Sequence, residues 1–354
     1  MKGLSETEFV TGYRHGNRRK LLFVLICSVI AAVTFFISLF FGPSEISVQQ
    51  CIDALMNHYG NVTDELADMV IWEIRIPEAC MALITGVALA AGGAVMQTSL
   101  RNPLADPYIM GVSSGAYLGV AVFMAFGICV IPGLSQNYSV VINAFVVSLV
   151  PMTVILIASS RGKISSGKLI LIGIAVMYIF SATTSLIKVL ADEETLAEIY
   201  QWGVGSLSGQ EWDEIGIALA VTIAGLFLLA LQARNLDAVN GGPNIAKAVG
   251  VNVKFVILYS MTLVSLVTAG VVAFTGTIGF VGLVAPNIAR LFVGNKMKYL
   301  IPASASFGAM FLIIADTIAK VVTPTGIPCG VVASVIGGPI FVIILMRQRK
   351  KALL

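Results

Sequence analysis

Long apolar runs, nearly free of charge, recur along the chain, each about as long as one membrane crossing. A helix spanning the hydrocarbon layer needs about 20 mostly apolar residues. Ten such runs are legible: Leu21–Phe41, Ala79–Thr98, Ile109–Cys129, Ser139–Ser159, Leu169–Leu190, Ile215–Gln232, Phe255–Thr275, Ile278–Val293, Leu300–Ala319 and Gly330–Met346. Lipid offers no partner to backbone N–H and C=O groups, so each run is predicted to be a helix. The eighth is short, and Gly282 and Pro286 interrupt it; backbone broken in this way lines protein or a cavity rather than lipid. The first follows Arg18, Arg19 and Lys20 and ends in Phe41-Gly42-Pro43 without an A-x-A site, so it reads as an uncleaved helix.

Composition narrows the class. Hydrophobic residues make up 57% of the 354-residue chain and charged residues 12%, against about 25% charged in a soluble domain. This excludes a soluble globule, a disordered chain and a disulfide scaffold. Apolar runs of this length also exclude a β-barrel, whose strands alternate apolar and polar positions. The fold class is therefore all-α, a polytopic membrane protein with about ten transmembrane helices. The five cysteines, Cys27, Cys51, Cys80, Cys129 and Cys329, form no C-x-x-C and read as small buried hydrophobes. The only histidines, His15 and His58, lie in polar segments, which argues against a histidine metal site or proton relay.

Charge orients the spans. If the loops are numbered alternately from the N-terminus, the first side holds 19 of the 22 basic residues but only Glu6, Glu8, Asp106 and Asp237 among the acids. That is a net +15 (19 − 4) on one side and −12 (3 − 15) on the other. The bias predicts that the basic side, with both termini, faces the cytoplasm. Topology and anionic lipid account for the basic side, and no nucleic acid is needed. The chain then divides into a cytoplasmic segment 1–20, a ten-helix domain 21–346 and a basic cytoplasmic tail 347–354. The domain includes an outer loop 42–78, predicted helical over Val48–Tyr59, and an inner segment 233–254. In that inner segment Gly241-Gly242-Pro243 precedes a short helix predicted over Asn244–Val249 and stopped by Gly250. From its residues alone this segment is either a docking element or a plain connector.

Candidate chemistry is sparse. No phosphate-loop, H-E-x-x-H or G-x-S-x-G motif is present. Lys188, Arg290 and Asp316 lie near span ends, where snorkelling explains them. Gly86, Ala90 and Ala94, and likewise Gly111, Gly115 and Gly119, recur at four-residue spacing on one helix face, a pattern for tight helix packing. The turn Arg101-Asn102-Pro103-Leu104-Ala105-Asp106-Pro107 and the glycine-rich GTIGFVGLVAPNIAR (Gly276–Arg290) stand out in composition.

These two segments carry a resemblance. RIPEACMALITGVALAAGGAVMQTSLRNPLADPYIMGVSSGA (Arg75–Ala116) resembles a signature of the FecCD family, the permease subunits of ABC importers for ferric siderophores, haem and cobalamin. GTIGFVGLVAPNIARLFVG (Gly276–Gly294), followed by LIPASASFGAMFLIIADTIAK (Leu300–Lys320), is similar to the second signature. Arg101, Asn102, Pro103, Asp106, Pro107, Gly111, Gly115, Gly279, Gly282, Pro286 and Arg290 are the signature and packing positions.

The resemblance implies a type II ABC importer permease in the cytoplasmic (plasma or inner) membrane. A second copy of the chain or a close paralogue would complete the pathway. Two separate ATPase subunits would hold ATP and Mg, and an extracytoplasmic binding protein would deliver the cargo. The permease itself would be no enzyme, with no catalytic, cofactor or metal residue. The loop Gly242–Val251 would couple to the ATPase through Gly242, Ala246, Lys247 and Gly250. Arg75, Glu78 and Lys320 would meet the binding protein, although Glu78 and Gly326 depart from the family pattern. The loop Arg161–Lys168 would form an inner gate with Ser165 and Ser166. The cargo implied is an iron-siderophore-type chelate; the alternatives are cobalamin, haem, a molybdate-type oxyanion, or a secondary transporter in place of an importer.

Overall fold

The computed structural model describes residues 6–44, 46–60, 62, 64–160, 165–323 and 326–352. Among them there are only helices, turns and loops. In chain order the first helices are α1 (Glu6–Ser38), α2 (Val48–Asn57), α3 (Glu65–Met69), α4 (Ile76–Ser99), α5 (Val112–Phe126), α6 (Gln136–Ser148) and α7 (Val150–Ser160). They are followed by α8 (Ser166–Leu190), α9 (Glu193–Val204), α10 (Trp212–Leu231), α11 (Ala233–Asn240), α12 (Pro243–Ala248), α13 (Val253–Thr275), α14 (Val281–Val293), α15 (Met297–Val322) and α16 (Cys329–Ala352).

Eight described helical stretches are long and apolar enough to cross a membrane, and the shorter apolar helices α5 and α14 make the remaining two spans. The ten runs read from the sequence are thus ten helical spans. Their ends differ where backbone chemistry intervenes. The third is cut to α5 by Gly111 (φ +90°) and Gly127 (φ +65°). The fourth is jointed at Leu149, ahead of Pro151, into α6 and α7. The second begins far earlier, because α3 and a π-helical turn, Val70–Arg75, run directly into α4. Helices α9 and α11 were not anticipated.

The eighth span differs most from expectation, since Gly282 and Pro286 do not break it: α14 is continuous from Val281 to Val293. A proline within a helix leaves the carbonyl four residues back without its N–H donor. Here that carbonyl is Gly282 O, and Gln97 Nε2 of α4 donates to it at 3.4 Å. The Asn287 amide donates to Leu283 O at 2.8 Å and to Pro103 O at 3.1 Å, which fastens α14 to the turn after α4.

Helix α4 is the pillar of the bundle, and α13, α14 and α15 pack around it. In its most apolar stretch 83% of residues are buried, against 17% in α1 and 22% in α8, whose large apolar side chains face outward. That difference follows from side-chain size: α4 carries Gly86, Ala90, Gly93 and Ala94 where neighbouring backbones pass. A Cβ on Gly86 would stand 2.7 Å from Gly308 C of α15, and one on Gly93 would stand 2.7 Å from Gly282 C of α14. The same logic joins α5 to α6, where a Cβ on Gly119 would meet Asn143 C at 2.8 Å. The four-residue spacing therefore marks packing seams, as the sequence pattern indicates.

Gly86→Ala and Gly93→Ala should each lower thermal stability in detergent by about 1–3 kcal/mol, the usual cost of overpacking. Gly216→Ala, with nothing within 4 Å of the added carbon, should be neutral or stabilising, because glycine within a helix costs about 1 kcal/mol relative to alanine. Equal melting temperatures for all three variants would contradict the seam assignment.

Candidate functional site

The bundle has two chemically distinct ends. One carries α12, the turn after α4, the end of α14 and the start of α15. The other carries Glu78, Asp316, Lys320 and the connection from α9 to α10.

At the α12 end, Gly242 (φ +116°) turns the chain and Pro243 opens the helix. The helix closes in a Schellman arrangement: Val251 N–H donates to Ala246 O at 2.8 Å, and Gly250 (φ +77°) N–H donates to Lys247 O at 3.0 Å. This local chemistry divides the predicted coupling residues. Ala246 is fully buried, whereas Ile245, Lys247 and Val249 project into solvent. Gly242, Ala246 and Gly250 thus shape the element, and Lys247 is the one predicted residue that presents a side chain. Ile245 and Val249, which the sequence reading did not single out, share the exposed side of the helix with Lys247.

The adjoining turn is built by its own side chains. Arg101 takes a left-handed conformation (φ +51°). Asn102 Oδ1 accepts from Leu104 N–H at 2.9 Å, and Asp106 Oδ1 accepts from Tyr108 N–H at 2.7 Å. Asp106 is buried, and a Cβ on Gly282 would come within 2.5 Å of its Oδ2. Burial pushes its carboxyl up to about 6, against the opposing pull of the Tyr108 N–H. Gly111 lies against Pro151. Of the predicted gate, residues 161–164 lie outside the described residues; Ser165 caps α8 by accepting from Lys168 N–H at 3.4 Å, and Ser166 is the first residue of α8.

At the opposite end lie the charges expected to dock a partner. Arg75, Glu78 and Lys320 are all buried, at 3%, 6% and 7% exposure. The Arg75 guanidinium donates to Leu39 O at 2.8 Å and Ser44 O at 3.0 Å, and so ties the end of α1 to α4. Lys320 Nζ lies 2.7 Å from Asp316 Oδ2 and 3.1 Å from Glu78 Oε2. Ser208 Oγ donates to Glu78 Oε1 at 2.7 Å. Snorkelling thus does not describe Asp316, which is 1% exposed and paired inside the fold. Lys188 is held over the rings of Tyr117 and Tyr200 at 4.4 and 4.2 Å. The Glu78 departure also gains a physical reason, since it partners Lys320 one helix away.

This buried triad lines a cavity of about 340 Å³ together with Gln201, Ser206 and Ser208. A second cavity of about 280 Å³ shares those three residues. The segment between them is stitched to its neighbours: Ser206 N–H donates to Thr275 O at 2.9 Å and Gly330 N–H to Gly205 O at 3.0 Å. Among the described residues no group of three or more His, Cys, Asp or Glu side chains is arranged to hold a metal ion.

A bundle of long apolar helices with a short helix displayed at one end is the architecture of a multi-pass membrane protein. Residues 30–347 match the FecCD transport family, and the chain belongs to it. It is 36% identical over 285 residues to the hemin transport system permease protein HmuU of Yersinia pestis, covering 79% of this chain and 84% of that protein. It is 36% identical over 290 residues to the cobalamin import system permease protein BtuC of Halobacterium salinarum, covering 82% and 76%. With the Fe(3+)-citrate import system permease protein YfmE of Bacillus subtilis it shares 33% identity over 340 residues, covering 95% and 98%. Among solved structures it resembles an inward-facing metal-chelate type ABC transporter, with a TM-score of 0.80 and 27% identity, covering 92% of this chain and 98% of that one.

Lys320→Met would leave two buried carboxylates facing each other without a counter-charge. Removing one partner of a buried ion pair costs about 3–5 kcal/mol. The variant should melt well below wild type in detergent, and Glu78→Gln added to it should recover part of the loss. Wild-type stability of Lys320→Met would contradict the pairing.

Proposed function

We propose that the chain forms one half of the membrane pathway of a binding-protein-dependent importer. A second copy or a close paralogue supplies the other half. The α12 end faces the cytoplasm with both termini, in the cytoplasmic membrane, and seats one of two ATPase subunits. The Lys320 end faces outward and receives the binding protein. The cargo is an iron-siderophore-type chelate, in line with the hemin, cobalamin and ferric-citrate systems named for the relatives.

The observation that carries this reading is α12 itself. A six-residue helix held by glycines at both ends, with Ile245, Lys247 and Val249 exposed, offers an apolar and basic knob to a soluble partner. Its base rests on the bundle: Met297 N–H, at the start of α15, donates to Asp237 Oδ1 of α11 at 2.8 Å. Helix α11 thus bridges α12 to α15, whose far end holds Asp316 and Lys320, and would pass a push on α12 along that route. Rigid helices moving about a cleft would alternate access, with ATP bound and hydrolysed by the partner. With Arg75, Glu78 and Lys320 turned inward, the binding protein would meet the exposed acids Glu193, Glu194, Glu211 and Asp213 with basic residues of its own.

The test is to purify the tagged chain in mild detergent from its native membranes. A phosphate-loop ATPase and a secreted or lipid-anchored binding protein should be recovered with it, as read by mass spectrometry. Ile245→Glu with Val249→Glu should lose the ATPase while the chain still inserts and keeps its melting temperature. A clean homo-oligomer, in a detergent that preserves known importers, would contradict the proposal.

A further inference from the structure

Beside α12 lies a cavity of about 400 Å³ lined by Arg101, Arg290, Gln97, Asn102, Asn240 and Asn295 among others. Every side chain lining it is cationic or uncharged. Arg290 is half-buried in the last turn of α14, and Arg101 stands at the exposed rim. Among the described residues neither guanidinium has an ion-pair partner; the described pairs are His58–Asp68, Lys320–Glu78 and Lys320–Asp316. The nearby acids are already engaged. Asp106 is buried against Gly282, and Asp237 Oδ1 accepts the Met297 N–H. A half-buried arginine without an anion is costly, and its planar fork matches a carboxylate with two parallel hydrogen bonds.

The cavity adjoins the proposed coupling element. Asn240 is the last residue of α11, and Arg101 Nη1 lies 4.0 Å from where a Cβ on Gly242 would stand. A partner docked on α12 would therefore lie beside this cavity. We propose that it is a carboxylate socket, in which an Asp or Glu side chain of the ATPase subunit seats between Arg101 and Arg290. The inference rests on the importer reading above and adds the chemistry of the contact.

The experiment measures the affinity of the co-purified ATPase for the full chain in phosphatidylcholine nanodiscs, across a range of salt concentrations. Arg290→Gln should weaken binding by about tenfold or more, because truncating one partner of a desolvated charge pair is expensive, and should flatten the salt dependence. Arg290→Lys should fall between the two, since an ammonium keeps the charge but not the fork. If Arg290→Gln melts early, Arg101→Gln at the rim serves instead, and must lose affinity at an unchanged melting temperature. Wild-type affinity and salt slope in the variant that folds would overturn the socket alone. A loss seen only with phosphatidylglycerol in the disc would assign the cavity to a lipid headgroup and overturn it too. A wild-type chain that captures no ATPase would overturn the importer reading and the socket together.

Discussion

Helix α4 meets its neighbours backbone to backbone, and the rest of the architecture depends on those contacts. Where Gly86 meets Gly308 and Gly93 meets Gly282, there is no room for a side chain on either partner. In lipid the hydrophobic effect does little to bring helices together, so intimate packing has to hold them. Glycine permits that packing at two levels of α4, and the pillar thereby fixes α14 and α15 at once. The proline in α14 is accommodated by the same seam, because Gln97 on α4 reaches the carbonyl that Pro286 leaves without a donor.

From this pillar the two ends acquire different chemistry. One end of α4 leads into the Arg101–Pro107 turn beside α12, and the other carries Arg75 and Glu78. Helix α15 runs the same distance, from the Met297 contact with α11 to the Asp316–Lys320 pair. Two helices in tight register thus connect a basic, knob-bearing surface to a buried ionic cluster beside two cavities. Such an arrangement suits a permease whose energy source and cargo arrive at opposite faces.

Much of this was legible from the sequence, because a membrane imposes a strong pattern. Every span left a long apolar run with at most one charge near its end, and the short helix after Pro243 announced itself by its glycines. The unforeseen features depend on long-range contact. Asp316 reads as a snorkelling residue near a span end until Lys320, one turn on, and Glu78, from another helix, are brought beside it. Arg75 carries no local sign that its partners are Leu39 O and Ser44 O, far back along the chain. Helices α9 and α11 are short and mixed in composition, so no apolar run marked them. At α12 the glycines and proline predict a short helix, which forms, but which of its residues face outward depends on how the helix sits: Ala246 turns in, and Ile245 and Val249 turn out.

The most direct test of the account is transport itself. The chain would be reconstituted in proteoliposomes with the ATPase and binding protein recovered alongside it, and uptake of a ferric chelate would be followed. The account predicts accumulation that requires ATP, the ATPase and the binding protein together. Accumulation driven by a proton or sodium gradient, with the ATPase absent, would contradict it.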